Sequence, residues 1–395
     1  MKILMVNKFL YPNGGSETYI FRLGEQLIKM GHEVQYFGME HEGRCVKNSA
    51  EQYTKDMDFH TASTLKKLSY PLKTIYSADA KKKITIVLND FQPDIVHLNN
   101  FNYQLTPSII TAVREYEKKA GKKIKIVYTA HDYQLICPNH MLYNNGEICE
   151  NCLGGKFINC TKGRCIHSSL AKSVIGTAEG YFWKMKGIYK NINLIICPTE
   201  FMKKKLDTNP IFADKTVTLL NFVQPEKITE PSKKDRYVLY FGRFDEEKGV
   251  KLFEKLTDIK MICAGSGNLE EFINSLPNAE NVGFKSGEEL KNLIKDAVCS
   301  VYPSVWYENC PFSVMESIML GTPVVGADIG GIPELIDNGK TGLLFEPNNA
   351  EDFENKIKTI IKNPALAEEM SKNCLDKKFD TVCEYTEKLL NLYKI

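Results

Sequence analysis

The 395-residue chain is 43% hydrophobic, 25% charged and 10% aromatic, which suits a globular enzyme and excludes a disordered or collagen-like chain. At roughly 150 residues per domain, that length predicts two domains, or three. No stretch approaches the roughly 20 apolar residues of a spanning helix. The five-residue apolar run before Asn7 is too short for a signal-peptide core, so a cytoplasmic protein is expected.

The net charge of +2 hides an asymmetry. Residues 1–220 carry 30 basic against 20 acidic side chains, a net of +10, and residues 221–395 carry 21 against 29, a net of −8; all seven histidines lie in the first part. A basic half attracts phosphate-bearing substrates, nucleic acid or an anionic membrane, or is simply a solvated surface. Its lysines cluster at Lys66, Lys67, Lys73, Lys81, Lys82 and Lys83 and again at Lys118, Lys119, Lys122, Lys123 and Lys125. They are interleaved with Tyr70, Leu72, Ile75 and Tyr76. That mixture predicts peripheral contact with the inner face of an anionic membrane, each basic residue adding about 1 kcal/mol.

Along the chain, short apolar runs alternate with amphipathic stretches, the pattern of βα units on parallel sheets. KILMV (2–6) reads as the first strand. Tyr19, Ile20, Leu23, Leu27 and Ile28 recur at helical spacing behind it, and Gly31 closes the helix. EVQYFG, DIVHL, KIVYTA, LIICP and TVTLLN follow as strands. Residues 223–235 are polar, hold two prolines and read as a linker. The pattern then restarts with RYVLYFGR, KMICAGS, ENVGF, CSVYPS and TPVVGA, which predicts a second parallel-sheet domain. FDTVCEYTEKLLNLYKI closes the chain as an amphipathic helix. The expected division is 1–222, with a Cys-rich insertion at 137–167, then 223–378, then a helix at 379–395.

Ligands of open parallel sheets gather beyond the C-terminal strand ends. After the first strand, Gly14 and Gly15 precede a helix, a place for a phosphate or for an ordinary tight turn. His97 and His131 both end strands, and a lone histidine there is either structural or functional. His131 is the better candidate, with Asp132 beside it as an orienting group. In the second half, YFGRFDEEKG places Arg243 and Lys248 five residues apart across a turn, a fork and a point charge for two phosphates unless they are plain surface charges. Gly265 and Gly267 open the next turn. Glu270 breaks the G-x-G-x-x-G pattern there, which argues against a nicotinamide cofactor.

YENCPFSVME holds two carboxylates, Glu308 and Glu316, eight residues apart. Pro311 suits the first turn of a helix that Gly321 ends. Glu308 then lies in the loop before the helix and Glu316 in its second turn, with the amides of Phe312, Ser313 and Val314 between them facing an anion. Each carboxylate accepts hydrogen bonds from two neighbouring hydroxyls of a ribose or a hexose.

The block from Tyr302 to Phe345, with GRFDEEKG and the early GGSE, resembles the retaining glycosyltransferases of family 4. The resemblance implies the α/β GT-B fold: two Rossmann-like parallel-sheet domains facing a cleft, with the C-terminal helix crossing back to the first. It also implies a nucleotide-sugar donor, UDP or GDP, held mainly by the second domain, and a glycan or lipid-linked acceptor held by the first. Carried over, Glu316 binds the ribose and Glu308 the transferred hexose. Arg243, Lys248 and the amides of Gly15, Phe312, Ser313 and Val314 hold the diphosphate, and His131 lies beside the reacting sugar. No D-x-D triplet of the metal-binding kind occurs, so no catalytic cofactor is expected. Retention implies front-face attack, with the leaving phosphate taking the acceptor's proton.

Cys137, Cys149, Cys152, Cys160 and Cys165 crowd into 29 residues with His167 close behind. That spacing fits a structural zinc clamp, and it also fits unligated reduced thiols or disulfides. Two rivals to the transferase remain: a sugar-nucleotide epimerase or hydrolase of the same fold, and a basic scaffold or nucleic-acid-binding protein. No recognisable nucleic-acid motif supports the last, so no nucleic-acid partner is expected.

Overall fold

The structure is a computed structural model, described for residues 1–55, 73–224 and 237–394. Most of the expected linker lies outside the described residues, as do Lys66, Lys67, Tyr70 and Leu72. Two compact units divide the chain. Met1–Asn145, Cys149–Leu220 and Val382–Ile395 form the first, and Gly146–Ile148 with Asn221–Thr381 the second.

The first unit runs β1 (Lys2–Val6), α1 (Gly15–Lys29), β2 (Glu33–Phe37), α2 (Ala78–Phe91), β3 (Ile95–Leu98), α3 (Ser108–Ala120) and β4 (Lys125–Thr129). A short hairpin, β5 (Tyr143–Asn144) and β6 (Glu147–Ile148), and α4 (Ile158–Lys162) lie in the cysteine segment. α5 (Leu170–Lys186), β7 (Leu194–Cys197), α6 (Glu200–Asp207) and β8 (Thr216–Thr218) follow. Its main sheet has six strands, all parallel, in the order β2-β1-β3-β4-β7-β8. Every residue of β3 and β7 is buried, which explains why all but His97 are apolar: a sheet covered on both faces has no solvent side for polar residues to occupy. On α1, Tyr19, Ile20, Leu23 and Leu27 go inside, whereas Ile28 stays exposed despite its helical spacing.

The second unit runs β9 (Val238–Phe241), β10 (Met261–Ala264), α7 (Glu270–Ser275), β11 (Ala279–Asn281), α8 (Gly287–Asp296), β12 (Cys299–Tyr302) and α9 (Phe312–Met319). β13 (Val324–Ala327), α10 (Ile332–Leu335), β14 (Gly342–Phe345), α11 (Ala350–Ile361) and α12 (Pro364–Asp376) complete it. Its strands are also parallel, in the order β11-β10-β9-β12-β13-β14. Numbered from its own first strand this is 3-2-1-4-5-6, the Rossmann order, and it places a topological switch between β9 and β12. Phe253, Phe345 and Phe353 stack in the core beside Val238, Val301 and Val325. Burying each such side chain contributes about 1.5–3 kcal/mol.

α13 (Val382–Lys394) returns to the first unit. Tyr385, Leu389, Leu390 and Tyr393 form its buried stripe. The Tyr385 and Tyr19 hydroxyls meet at 2.7 Å, and the Tyr393 hydroxyl meets His97 Nδ1 at 2.6 Å. Lys125 Nζ donates to the carbonyls of Leu392 and Tyr393, satisfying the open end of the helix. His97 is thereby structural: it is fully buried, its other nitrogen meets Thr129 at 2.7 Å, and burial holds its pKa down to about 3.

Candidate functional site

In the second unit the loops beyond β9 and β12 meet at the switch point through their backbones. Gly249 adopts φ 71°, and a Cβ there would stand 1.8 Å from the Pro303 carbonyl. Val305 N–H donates to the Glu247 carbonyl at 3.0 Å. On the other side, Cβ atoms at Gly265 and Gly267 would stand 1.9 Å from the Gly242 carbonyl oxygen and 2.6 Å from Phe244 N. These two glycines let the turn beyond β10 pack against the Arg243 loop, and this close approach is what the structure shows of Gly265.

Lys248, Ser304 and Trp306 converge on a single oxygen of Glu308. Lys248 Nζ lies 2.5 Å from Oε1, and Ser304 Oγ and Trp306 Nε1 each donate to it at 2.9 Å. Lys248 also sits over the Trp306 ring, 5.3 Å from its centre. Glu308 is only 8% exposed. Burial pushes its carboxyl group up, but Lys248, with Trp306 and Ser304, more than offsets this and holds the pKa below the usual glutamate value. The loop before α10 braces the same residue: Gly331 N–H donates to the Glu308 carbonyl at 2.7 Å, and Gly330 adopts φ 63° against it.

α9 begins at Pro311 without a capping side chain. A Ser, Thr or Asn side chain caps α2, α5, α6, α11 and α12, whereas α1, α3, α4, α7, α8 and α10 lack one as α9 does. An uncapped helix start leaves amides for an outside acceptor. The Val314 N–H is already taken by the Pro311 carbonyl at 3.2 Å. This corrects the expectation of three free amides: Phe312 and Ser313 supply the two that no described acceptor engages. Glu316 stands in the second turn, half-buried. Arg243 is bound by Asp245 at 2.5 Å and Glu247 at 2.7 Å while its side chain stays 63% exposed. Both cations of this loop therefore begin paired with carboxylates.

The first unit has its own switch between β1 and β3, and a polar network fills it. Asn7 donates to Glu17 at 2.8 Å and accepts from Asn100 N–H at 3.0 Å, and Asn100 donates to Ser16 at 3.1 Å. Gly14 and Gly15 sit at the start of α1 next to this network. His131, at the end of β4, contacts Asn99 Oδ1 at 2.9 Å and meets the Tyr19 ring edge-on at 4.9 Å. Burial lowers its pKa to about 3, so it stands neutral. Its orienting group is Asn99 and not Asp132. Asp132 instead accepts from Gln134 N–H at 2.8 Å and lies 3.6 Å from His140 Nδ1.

The five clustered cysteines are free thiols, and among the described residues no group of three or more His, Cys, Asp or Glu side chains is arranged to hold a metal ion. Cys152 and Cys160 pack with Phe157 in a small apolar cluster edged by Cys165, while Cys137 Sγ donates to Asn139 at 2.8 Å. Among the basic residues, Lys81 pairs with Glu115, Lys83 with Asp79 and Lys122 with Asp94, which reduces the free positive charge of that surface. No described helix is long and apolar enough to cross a membrane.

Two Rossmann-type parallel-sheet units, the second with a clamped carboxylate at its switch point, have the architecture of the GT-B fold. The Glycosyltransferase Family 4 profile matches residues 13–227 and the Glycosyl transferases group 1 profile residues 224–376, so the chain belongs to glycosyltransferase family 4. It is 27% identical over 360 residues to an uncharacterized 42.6 kDa protein in the cps region of Klebsiella pneumoniae, covering 85% of this chain and 87% of that one. Among solved structures it resembles the sucrose-phosphate synthase of Thermosynechococcus elongatus at TM-score 0.70 and 17% identity, over 100% of this chain and 98% of that one. It also resembles Anabaena Alr3699/HepE in complex with UDP-glucose at TM-score 0.66 and 16% identity, over 100% and 99%.

Sequence reasoning missed Ser304, Trp306 and Asn99. Ser304 and Trp306 lie within four residues of Glu308, and neither has a spacing signature. Asn99 follows His97 by two residues, but its partner His131 lies 32 residues on, and only the pairing of β3 with β4 brings the two together.

Proposed function

We propose that the protein transfers a hexose-type sugar, with retention, from a UDP- or GDP-sugar to a glycan or lipid-linked acceptor in cell-surface polysaccharide synthesis. The observation that carries this reading is the convergence of Lys248, Ser304 and Trp306 on Glu308 Oε1, which leaves the second oxygen, Oε2, to receive sugar hydroxyls. Glu316 would take the ribose hydroxyls, and Arg243, Lys248 and the amides of Phe312 and Ser313 the diphosphate. These groups stabilise the charge that develops as the bond between the anomeric carbon and the phosphate oxygen breaks. The acceptor hydroxyl attacks from the same face and passes its proton to the departing phosphate oxygen. The charge stabilisation comes from the chain's own cations and amides, so the step proposed here uses no metal. The first unit would hold the acceptor, with His131 as a neutral hydrogen-bonding group beside the sugar.

The relative in a cps region and the structural likeness to a lipopolysaccharide outer core galactosyltransferase, WaaB, support a polysaccharide context. The UDP-glucose in the HepE complex supports a nucleotide-sugar donor. Residual lysines of α2 and α3 support peripheral contact with an anionic inner membrane face. Vesicle sedimentation tests that contact: binding that ignores both anionic lipid and salt overturns it. The transfer is tested by thermal shift and nucleotide release across a panel of nucleotide sugars, with and without acceptor glycans. The reading fails if no nucleotide sugar stabilises the protein and Glu316→Ala leaves activity intact. Donor turnover without acceptor would point to a hydrolase or epimerase instead.

A further inference from the structure

α5 carries a buried glutamate with no evident role in the transfer. Glu179 is 4% exposed, its Oε1 is fully buried, and among the described residues no hydrogen bond or ion pair reaches its carboxyl group. It borders a cavity of about 30 Å³ that is also lined by Gln134, Phe157, Lys184, Tyr189 and Phe212. A buried carboxyl group without a partner is expensive, and one beside a void has room for a partner that is not part of the chain. Among the described residues Lys184 is the one cation on the cavity wall; its ammonium points to the Gly155 carbonyl at 3.1 Å and forms no ion pair with Glu179.

The walls indicate what would fit. Phe157, Tyr189 and Phe212 present aromatic rings, with Tyr189 and Phe212 edge to face at 6.3 Å. Ring faces attract a cation whose charge is spread over N–H or C–H groups, and the two amide oxygens on the wall are already engaged, Gln134 Oε1 by Asn102 N–H and Asn209 Oδ1 by Ile211 N–H, which leaves few lone pairs for a hard metal ion. The volume admits about two non-hydrogen atoms. We infer that this cavity binds a small ammonium-type cation, either ammonium itself or the end of a primary amine, with Glu179 as counter-ion and the three aromatic residues as walls. Lys184 is the exposed residue of the lining, and a primary amine entering on its side would keep its tail outside.

Burial raises the Glu179 carboxyl to about 8. Other titratable groups facing it include the hydroxyls of Tyr103 and Tyr189, which burial keeps neutral. The cation binds the ionised carboxylate, so binding at a pH below that value releases a proton and strengthens as the pH rises. This site lies in the first unit and does not depend on the transferase reading.

The test uses the full chain with methylammonium chloride against sodium chloride at equal ionic strength. Melting temperature should rise with methylammonium alone, by about 3–5 °C at tenfold excess over the dissociation constant. The rise should be larger at a pH of about 9 than at about 7, and should vanish in Glu179→Gln. Calorimetry of the unmodified chain in two buffers of different protonation enthalpy should show close to one proton released per methylammonium bound at a pH of about 7. Equal responses to the two salts, an unchanged response in Glu179→Gln, or no proton release would each overturn the proposal and leave the cavity to water.

Discussion

Lys248→Met removes the cation at the centre of the proposed donor site while keeping its length and apolar stem. The side chains of Lys248 and Glu308 are 21% and 10% exposed, so the variant leaves a largely buried carboxylate facing only the neutral donors Ser304 and Trp306. Taking one partner from a buried ion pair costs about 3–5 kcal/mol. Two surviving hydrogen bonds and partial solvent access reduce this to about 2–3 kcal/mol, a fall of roughly 4–10 °C in melting temperature. The pH dependence also changes sign. With its pKa lowered, the wild-type carboxylate stabilises the fold above the unfolded value of about 4.3, and that contribution fades as acid protonates it. Without Lys248 burial dominates and the carboxyl pKa rises above the unfolded value, so the variant's deficit should shrink as pH falls from about 7 to about 5. The double variant Lys248→Met with Glu308→Leu should regain most of the lost stability, because no charge is left buried, yet stay at least about 100-fold down in sugar transfer. Thermal melts at two pH values and a nucleotide-release assay read these outcomes. A single variant melting within about 1 °C of the parent, or a double variant as unstable as the sum of the two singles, would refute the claim that Lys248 neutralises Glu308.

Trp306→Phe keeps a ring beneath Lys248 but removes the donor to Glu308, and kcat/KM for the donor should fall about tenfold with little loss of folding. Gly330→Ala sets a Cβ 2.4 Å from the Glu308 carbonyl oxygen at φ 63°, so it should cost about 2–3 kcal/mol by thermal melt and disable transfer by moving that loop. Tyr393→Phe leaves His97 Nδ1 without its partner at the α13 contact and should cost about 1–3 kcal/mol, measured by denaturant unfolding. His131 is already neutral, its pKa lowered to about 3, so the pH profile of kcat between about 5 and 8 should show no histidine inflection; an inflection that His131→Gln removes would contradict this.

Much of the fold was readable in order along the chain. β1, β3, β4, β7, β9, β10, β12 and β13 all fall inside apolar runs that stand out because both faces of each sheet are covered. Edge strands were harder to read. The strand at Ala279–Asn281 overlaps the run at 280–284 by two residues, the run at 216–221 yields only Thr216–Thr218, and β14, whose GLLF is an apolar run, was not singled out. The candidate site was legible wherever a loop and the following helix are contiguous, as at Glu308, Pro311, Phe312, Ser313 and Glu316. It was not legible for Ser304 and Trp306, which sit in the same loop without a spacing signature, nor where the partner comes from another strand.

The sequence by itself determined two parallel-sheet units, the carboxylates of YENCPFSVME and the cations of GRFDEEKG, because periodicity and loop chemistry are local properties. Tertiary structure alone decided that Lys248 begins as the partner of Glu308, that Asn99 rather than Asp132 holds His131, that Val314 has no free amide, and that Glu179 is buried without a partner. Each of these depends on which strand ends and helices pack side by side, and that follows from sheet order and burial.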